Sequence, residues 1–352
     1  MVTPDQIRAA YLFFLGRVPE SEKAVGDHTN HASVAKLYSG LMESQEFGNR
    51  VVELSLSAPK VTPNPKPTIP SGSLSYQEVV ERFASFAGPG RPGFTTDHLG
   101  SITHTSFVDV LKHHDGEVWP SPLVSEKLFP ISEWVGTLRS VAEADPAKPF
   151  VMMEFGAGWG PWCVSSFMAC KQRGITNVHV TAVEASHHHA AFARQNFIDN
   201  GLPAKTCHVI EGAVGASDGH VEFPELDDPS ADYGGSVGNS LLTNRPKPNK
   251  LVRVTAYSIS TLLANVDYAN LIHIDIQGAE ADAVAAGLDS LNRKAHRLVI
   301  GTHCRGIEHK LLDDLSKAGW LLEYDLACTY SVANGNFSLH ADGCQLWRNP
   351  RV

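Results

Sequence analysis

Residues 150–160 read FVMMEFGAGWG, and this stretch decides the fold. The apolar run at 150–153 predicts a buried parallel strand, because parallel strands are covered on both faces and are apolar along most of their length. Glu154 then precedes three glycines at alternate positions. Glycine adopts backbone dihedrals that other residues avoid, and it lets a ligand approach the main chain closely. The stretch therefore predicts a strand that ends in a ligand-binding turn.

Two kinds of ligand suit a glycine turn of this type. A dinucleotide site requires Gly-x-Gly-x-x-Gly, but here the third glycine, Gly160, comes one position early and Pro161 takes its place. Glu154 would also direct a negative charge at a pyrophosphate. A carboxylate suits a cationic amine better, and S-adenosylmethionine carries an α-amino group and a sulfonium but no phosphate. The turn therefore favours S-adenosylmethionine over a nicotinamide dinucleotide.

The composition excludes several classes of partner. The chain has 352 residues and a formal charge of −9 at pH 7, without a block of basic residues. It therefore lacks the electrostatic pattern of a nucleic-acid binder. No run of eighteen apolar residues predicts a membrane-spanning helix, and residues 1–5 do not begin a signal peptide. The six cysteines form no Cys-x-x-Cys pair. We expect a cytoplasmic protein that binds neither nucleic acid nor a membrane.

Changes in composition divide the chain into four predicted segments. Apolar residues at helical spacing predict a small N-terminal helical domain over residues 1–57. Five prolines predict an extended linker over residues 58–75. Residues 76–147 combine helical and loop patterns, and we expect them to cover the following domain as a lid. The last segment, residues 148–352, is predicted to be the ligand-binding domain.

Within the last segment, apolar strand patterns alternate with amphipathic helical patterns. This alternation predicts an α/β fold with a mostly parallel, Rossmann-like sheet that helices cover on both faces. Two further strand-like runs predict a C-terminal antiparallel hairpin. The predicted strands are Phe150–Phe155, His179–Glu184, His208–Glu211, Leu271–Ile276, Arg297–Thr302, Trp320–Leu326 and Gly343–Trp347.

Small and acidic residues follow the second and third predicted strands. Ligands bind at the carboxyl ends of the strands in open parallel sheets. Glu184 ends the second strand before Ala185, and its carboxylate can accept hydrogen bonds from both hydroxyls of a ribose. A carboxylate near a helix N-terminus is also favourable without any ligand. Gly212 and Ala213 follow the third strand and are small enough to let an adenine ring lie flat.

Polar residues also end the fourth and fifth predicted strands, at Asp275 and His303. Histidine can take a proton from a hydroxyl group near neutral pH. The two side chains could instead share a divalent cation, and both interpretations remain open. The consecutive His187, His188 and His189 diverge on a helix, so we expect them to be structural.

Together these segments resemble the FkbM-like methyltransferase family over residues 149–349. The most specific stretches are IDIQGAE at 274–280 and GTHCRGIE at 301–308. The predicted C-terminal hairpin is likewise typical of the sheet of class I methyltransferases. Residues 4–50 resemble a small helical domain of unknown function that often accompanies glycosyltransferases.

The resemblance implies methyl transfer from S-adenosylmethionine to a hydroxyl oxygen of a small molecule or glycan, with a sugar favoured. It places Asp275 and His303 at the transfer centre, with a divalent metal as an option at the same two residues. The cofactor contacts that we expect are Glu154, Gly156, Ala157, Gly158, Trp159, Gly160, Glu184, Ala185, Gly212, Ala213 and Asp275. The acceptor contacts that we expect are Tyr233, Gln277, Arg305 and Glu308.

Three other functions remain open at this point. The chain could methylate a natural product that is not a sugar, or it could bind the cofactor without turnover as an interaction subunit. A nicotinamide-dependent oxidoreductase is the third, and the proline after the turn disfavours it. The sequence does not decide the acceptor, the need for a metal or whether the chain forms a homo-oligomer.

Overall fold

The computed structural model describes residues 2–11, 18–31, 33, 36–37, 40–41, 44, 76–122, 131–233, 235, 250–333 and 336–352. By its backbone packing the chain divides into two compact units, residues 1–72 and 73–352. The predicted linker over residues 58–75 lies outside the described residues. Its conformation and the four domain boundaries therefore stay predictions.

The described part of the first unit is helical. Helix α1 spans Pro4–Ala10 and helix α2 spans Glu22–His28. A capping box begins α1, because the backbone amide of Gln6 bonds the Thr3 hydroxyl and the Gln6 side chain accepts from the Thr3 amide. The apolar side chains of this unit pack together, and they are Val2, Ile7, Ala10, Tyr11, Val25, Leu37 and Leu41.

The second unit combines strands and helices. Its strands are β1 Phe94–Thr96, β2 Ile102–His104, β3 Phe150–Phe155, β4 Val178–Glu184, β5 Cys207–Glu211, β6 Ala213–Gly215, β7 Gly219–Pro224, β8 Leu251–Ser258, β9 Leu271–Ile274, β10 Arg297–Thr302, β11 Leu321–Leu326, β12 Thr329–Ala333, β13 Asn336–Ala341 and β14 Gly343–Arg348. Its helices are α3 Tyr76–Val80, α4 Ile131–Ala142, α5 Pro161–Gln172, α6 His187–Asp199, α7 Ile259–Leu262, α8 Glu280–Lys294 and α9 Arg305–Lys317.

Seven of these strands form one sheet in the order β11-β14-β10-β9-β3-β4-β5. The five strands from β10 to β5 are parallel, and β14 runs antiparallel to both β10 and β11. The order reverses at β3, which lies between β4 and β9, and such a point is where ligands bind in open sheets. This arrangement confirms the predicted α/β fold, with the Rossmann-like sheet of class I methyltransferases and its C-terminal antiparallel hairpin.

Strand β9 ends at Ile274, two residues before the predicted end. The amide of Ile276 bonds the side chain of Glu280 at 3.0 Å instead of a neighbouring strand. Gln277 then has a φ of 54° and turns the chain into α8. The loop after β9 is therefore held by a carboxylate that lies four residues further along the chain.

Three small sheets accompany the main one and were not predicted: the pair β1-β2, the pair β12-β13 and the three-stranded sheet β6-β8-β7. Their strands are short or partly exposed, so their sequences lack a clear apolar pattern. In β8, for example, exposed and half-buried residues alternate along most of the strand. Among the described residues, no helix is long and apolar enough to cross a membrane.

Candidate functional site

A cleft of about 760 Å³ opens at the carboxyl ends of the central strands, where the strand order reverses. Pockets for small ligands commonly have volumes of about 300–1,000 Å³. The described residues that line the cleft include no lysine and no arginine. The ionisable carboxyl and imidazole groups of this lining are Glu133, Glu154, Glu184, Asp275, Asp342, His189, His273, His303 and His340.

The glycine turn after β3 depends on left-handed backbone. Gly156, Gly158 and Gly160 have φ values of 73°, 55° and 70°, which L-amino acids with a Cβ adopt only with strain. A Cβ on Gly156 would lie 1.8 Å from the carbonyl oxygen of Asp275. Glycine is therefore needed where β3 and the end of β9 approach each other.

The cofactor contacts predicted from the turn line the cleft with one exception. Gly156, Ala157, Gly158 and Trp159 belong to the lining, and so do Ala185, Gly212 and Ala213 on the neighbouring loops. Gly160 does not, because it faces the ring of Phe197, where an added Cβ would come within 2.9 Å. Gly160 begins α5, and its contact with the cofactor stays a prediction.

Glu154 lies under the turn and caps helix α5. Only 1% of the residue is exposed, and its carboxylate accepts from the amides of Cys163 at 2.7 Å and Trp162 at 3.3 Å. Burial raises the pKa of this carboxyl to about 7. The sequence predicted a ligand contact here, and the structure adds a helix cap at the same carboxylate. The amides at a helix N-terminus can bind an anionic ligand. At the N-terminus of α5, the carboxylate of Glu154 already occupies them.

Glu184 connects the glycine turn to the loop after β4. Its two carboxylate oxygens accept from the amide of Gly158 at 2.7 Å and from the amide of Ser186 at 2.8 Å. Burial raises the pKa of this carboxyl to about 7 as well. The group lines the cleft as predicted, and a ribose contact remains a prediction.

Tyr233 covers the glycine turn. Its ring stacks on His189 with the centroids 4.1 Å apart, and its hydroxyl donates to the carbonyl of Phe107 at 2.7 Å. A Cβ on Gly158 would lie 3.3 Å from the Tyr233 ring. Tyr233 therefore borders the half of the cleft beside Glu184, and its contact with the acceptor stays a prediction.

His189, which was predicted to be structural, lines the cleft. Its Nε2 donates to the carbonyl of Pro229 at 2.8 Å, and 4% of the residue is exposed. Ser186 caps α6, which fixes the third residue of the helix against the cleft. Of the three consecutive histidines, only His189 points towards the cleft. The sequence of the run does not indicate which of them does so.

Asp275 and His303 meet at adjacent strand ends, as predicted, and Glu280 joins them. His303 Nε2 lies 3.3 Å from Asp275 Oδ1, and His303 Nδ1 lies 3.1 Å from Glu280 Oε1. Burial lowers the pKa of His303, but its two carboxylate partners outweigh burial and raise that pKa well above 6.5. These partners favour the protonated form of His303, so its predicted role as a base requires that it first lose this proton.

The same trio has a geometry that could hold a metal ion. One ligand atom from each of Asp275, Glu280 and His303 lies within 4.8 Å of the others. In the structure these atoms already pair with one another, and Glu280 also accepts from the amide of Gly278 at 3.0 Å. A metal ion would have to replace the proton on His303. The divalent metal at Asp275 and His303 stays a prediction.

The other residues that were predicted to contact the acceptor lie in different parts of the structure. Gln277 lines the cleft and donates to Asp275 Oδ1 at 2.8 Å. Glu308 is 5% exposed and accepts from the Thr302 hydroxyl at 3.2 Å. Arg305 Nη1 lies 3.5 Å from Glu308 Oε2 on the outside of α9. Neither Arg305 nor Glu308 belongs to the described lining of the cleft, and their contact with the acceptor stays a prediction.

His273 and Glu133 form a second polar pair in the cleft. His273 is 2% exposed, and its Nε2 lies 3.6 Å from Glu133 Oε2. Burial lowers the pKa of His273, but the interaction with Glu133 outweighs it and raises that pKa above 6.5. This pair was not predicted from the sequence. Alternation along β9, which puts His273 on the same face as Asp275, was the available signal.

The wall of the cleft opposite Glu184 comes from the C-terminal strands. Asp342 Oδ1 lies 4.0 Å from His303 Nε2 at the start of β14. Tyr324 and Leu326 on β11 and His340 on β13 complete this wall. The sequence analysis did not single out these side chains, because the β12-β13 pair that carries part of the wall was not predicted.

Known proteins that are similar to this chain include a relative in sequence and several solved structures. No protein-family model matches the chain, so the resemblance to the FkbM-like family stays a prediction. A protein of Jannaschia sp. (strain CCS1) described as "Putative methyltransferase" is 28% identical over 278 residues, which are 78% of this chain and 98% of that protein.

The solved structures that are similar to this chain include the following two. Precorrin-6y C5,15-methyltransferase from Geobacter metallireducens GS-15 has a TM-score of 0.37 and 14% identity, over 63% of this chain and 90% of that one. The M. capricolum protein TrmK, in complex with S-adenosyl-homocysteine, has a TM-score of 0.32 and 9% identity, over 61% of this chain and 67% of that one.

Proposed function

We propose that this chain is a methyltransferase that uses S-adenosylmethionine. The observation that carries the proposal is the glycine turn at the reversal point of the sheet, between two buried carboxylates, Glu154 and Glu184. The similarity to a Jannaschia protein described as a methyltransferase supports the same reaction class.

The charges of the cleft suit this cofactor better than a dinucleotide. A pyrophosphate needs donors such as a free helix N-terminus or a basic side chain. Glu154 already occupies the amides at the start of α5, and the described lining contains no lysine or arginine. A ligand with cationic groups would instead offset the unfavourable burial of Glu154 and Glu184. The nicotinamide alternative is disfavoured for this reason.

When bound, S-adenosylmethionine supplies an electrophilic methyl group on its sulfonium. The protein has to hold the acceptor oxygen in line with that group, so most of its contribution is proximity and orientation. The glycine turn would hold the methionine part, Glu184 the ribose, and Gly212 with Ala213 the adenine. These residues line one continuous cleft.

We propose a hydroxyl as the acceptor group. Asp275 and His303 lie together at the end of the cleft opposite Glu184, and they can accept the proton that a hydroxyl loses on methylation. Because its carboxylate partners favour protonated His303, this unit becomes a base only after His303 releases its own proton. We therefore expect the rate of methyl transfer to rise with pH.

A small polyhydroxyl molecule such as a sugar is the acceptor that we favour. Gln277 and Asp342 lie beside the trio and can bond further hydroxyls. The resemblance of residues 4–50 to a domain that accompanies glycosyltransferases points the same way. A nucleic acid is disfavoured because the described lining offers no cation to a phosphate backbone. A natural product that is not a sugar is the alternative.

Calorimetric titration with S-adenosylhomocysteine and with NADH tests the cofactor. We expect micromolar binding of S-adenosylhomocysteine only, and binding of NADH alone would refute the proposal. Mass spectrometry of a panel of hydroxylated sugars and aglycones, incubated with S-adenosylmethionine, then identifies the acceptor. Cofactor binding without any methylated product across the panel would favour the non-catalytic interaction subunit.

A further inference from the structure

The side chain of His273 has bonding capacity that the described residues do not use. Its ring is 2% exposed and borders the cleft. Nδ1 has no hydrogen-bond partner among the described residues. Nε2 faces Glu133 Oε2 at 3.6 Å, which is longer than a normal hydrogen bond. A buried polar group without a partner is costly, so a partner supplied by a ligand would relieve that cost.

The other histidines of the cleft are less available. His303 lies between Asp275 and Glu280. His189 bonds a backbone carbonyl, and His340 is exposed on β13. Since no lysine or arginine belongs to the described lining, His273 is the best placed buried donor for an anionic group of a ligand.

The position of His273 also relates it to the glycine turn. In the parallel pairing of β3 and β9, His273 is the register partner of Glu154, and both side chains line the cleft. Glu133, at the start of α4, lies beside His273 and is also part of the lining. The three groups therefore surround the part of the cleft next to the turn.

We propose that His273 and Glu133 bind the zwitterionic α-amino-acid end of the methyl donor. His273 donates to the α-carboxylate, and Glu133 accepts from the α-ammonium group. This inference rests on the proposed function, and it assigns the residues that bind one end of the methyl donor. It also transfers the main contact with the amine from Glu154, whose two oxygens already bond helix amides, to Glu133.

Two ligands that differ only at this end test the assignment. S-Adenosylhomocysteine carries the amino-acid end, and 5′-methylthioadenosine lacks it. We expect His273→Phe, which keeps an aromatic ring beside Trp162, to weaken S-adenosylhomocysteine by roughly 10- to 100-fold. The affinity for 5′-methylthioadenosine should change by less than about twofold. Glu133→Gln should likewise weaken the binding of S-adenosylhomocysteine more than that of 5′-methylthioadenosine. Calorimetry gives both affinities.

Controls separate this effect from a loss of structure. His340→Phe alters an exposed histidine of the same cleft and should leave the ratio of the two affinities unchanged. His273→Asn retains a donor near the position of Nδ1 and should recover part of the loss. Equal weakening of both ligands by His273→Phe, or no weakening of either, would overturn the inference. If the wild-type protein binds neither ligand, the proposed function itself fails.

Discussion

Glu184 makes the folded protein sensitive to pH in a way that can be measured without any ligand. Burial raises the pKa of this carboxyl from 4.5 to about 7. A carboxyl whose pKa is higher in the folded state stabilises the protein below the unfolded pKa, and that stability is lost as the pH rises through the folded pKa. Between pH 5 and pH 8 the loss from Glu184 is about 2.5 kcal/mol by linkage.

The variant Glu184→Gln removes this dependence. Glutamine cannot ionise, so the stability of the variant relative to the wild type should improve by about 2.5 kcal/mol between pH 5 and pH 8. Bonds that the substitution breaks, such as the one from the Gly158 amide, are broken at both pH values and cancel in this difference. Urea unfolding of both proteins at each pH measures the quantity.

A matched control lies on the neighbouring strand. Glu211 is the register partner of Glu184 on β5, but it is exposed and pairs with Arg194 at 3.2 Å. Glu211→Gln should change the relative stability between the two pH values by less than about 0.5 kcal/mol. A similarly small change for Glu184→Gln would refute the reasoning, because it would mean that burial does not disfavour the ionised carboxylate.

Three further predictions concern the turn and the trio. Gly156→Ala should destabilise the protein by about 3 kcal/mol, because its Cβ would collide with Asp275; Gly174→Ala, with a similar φ but open space around it, should lose only about 1–2 kcal/mol in urea unfolding. Glu280→Gln should move the rising limb of the pH–rate profile to lower pH, since losing one carboxylate partner lowers the pKa of His303; an unmoved limb would mean that another group titrates. His303→Gln should reduce kcat by roughly 10²- to 10⁴-fold while calorimetry shows unchanged affinity for S-adenosylhomocysteine, and an unchanged kcat would exclude His303 from the chemistry.

The parts of the structure that depend on local pattern could be predicted from the sequence. The central parallel strands β3, β9 and β10 are mostly apolar, so their positions and the residues at their carboxyl ends, such as Asp275 and His303, were found within one or two residues. Parallel pairing then brings those residues together without further information.

The parts that depend on the direction of a single side chain could not be predicted. Glu308 lies in the first turn of α9, and nothing in its neighbours indicates that it points to Thr302 instead of the cleft. Glu154 likewise serves the start of α5 through contacts eight and nine residues along the chain. His273 was overlooked because a histidine within an apolar strand has the same local pattern whether it is structural or binds a ligand.

The two walls of the cleft come from separate stretches of the chain. The glycine turn follows β3, and Glu184 ends β4. On the other wall, Tyr324 and Leu326 belong to β11, and Asp342 lies between β13 and β14. On the proposed reaction, donor and acceptor recognition are thus encoded in exchangeable modules. Replacing the stretch from β11 to β14 with that of a relative would then change the acceptor of the enzyme. Its affinity for the methyl donor would stay the same.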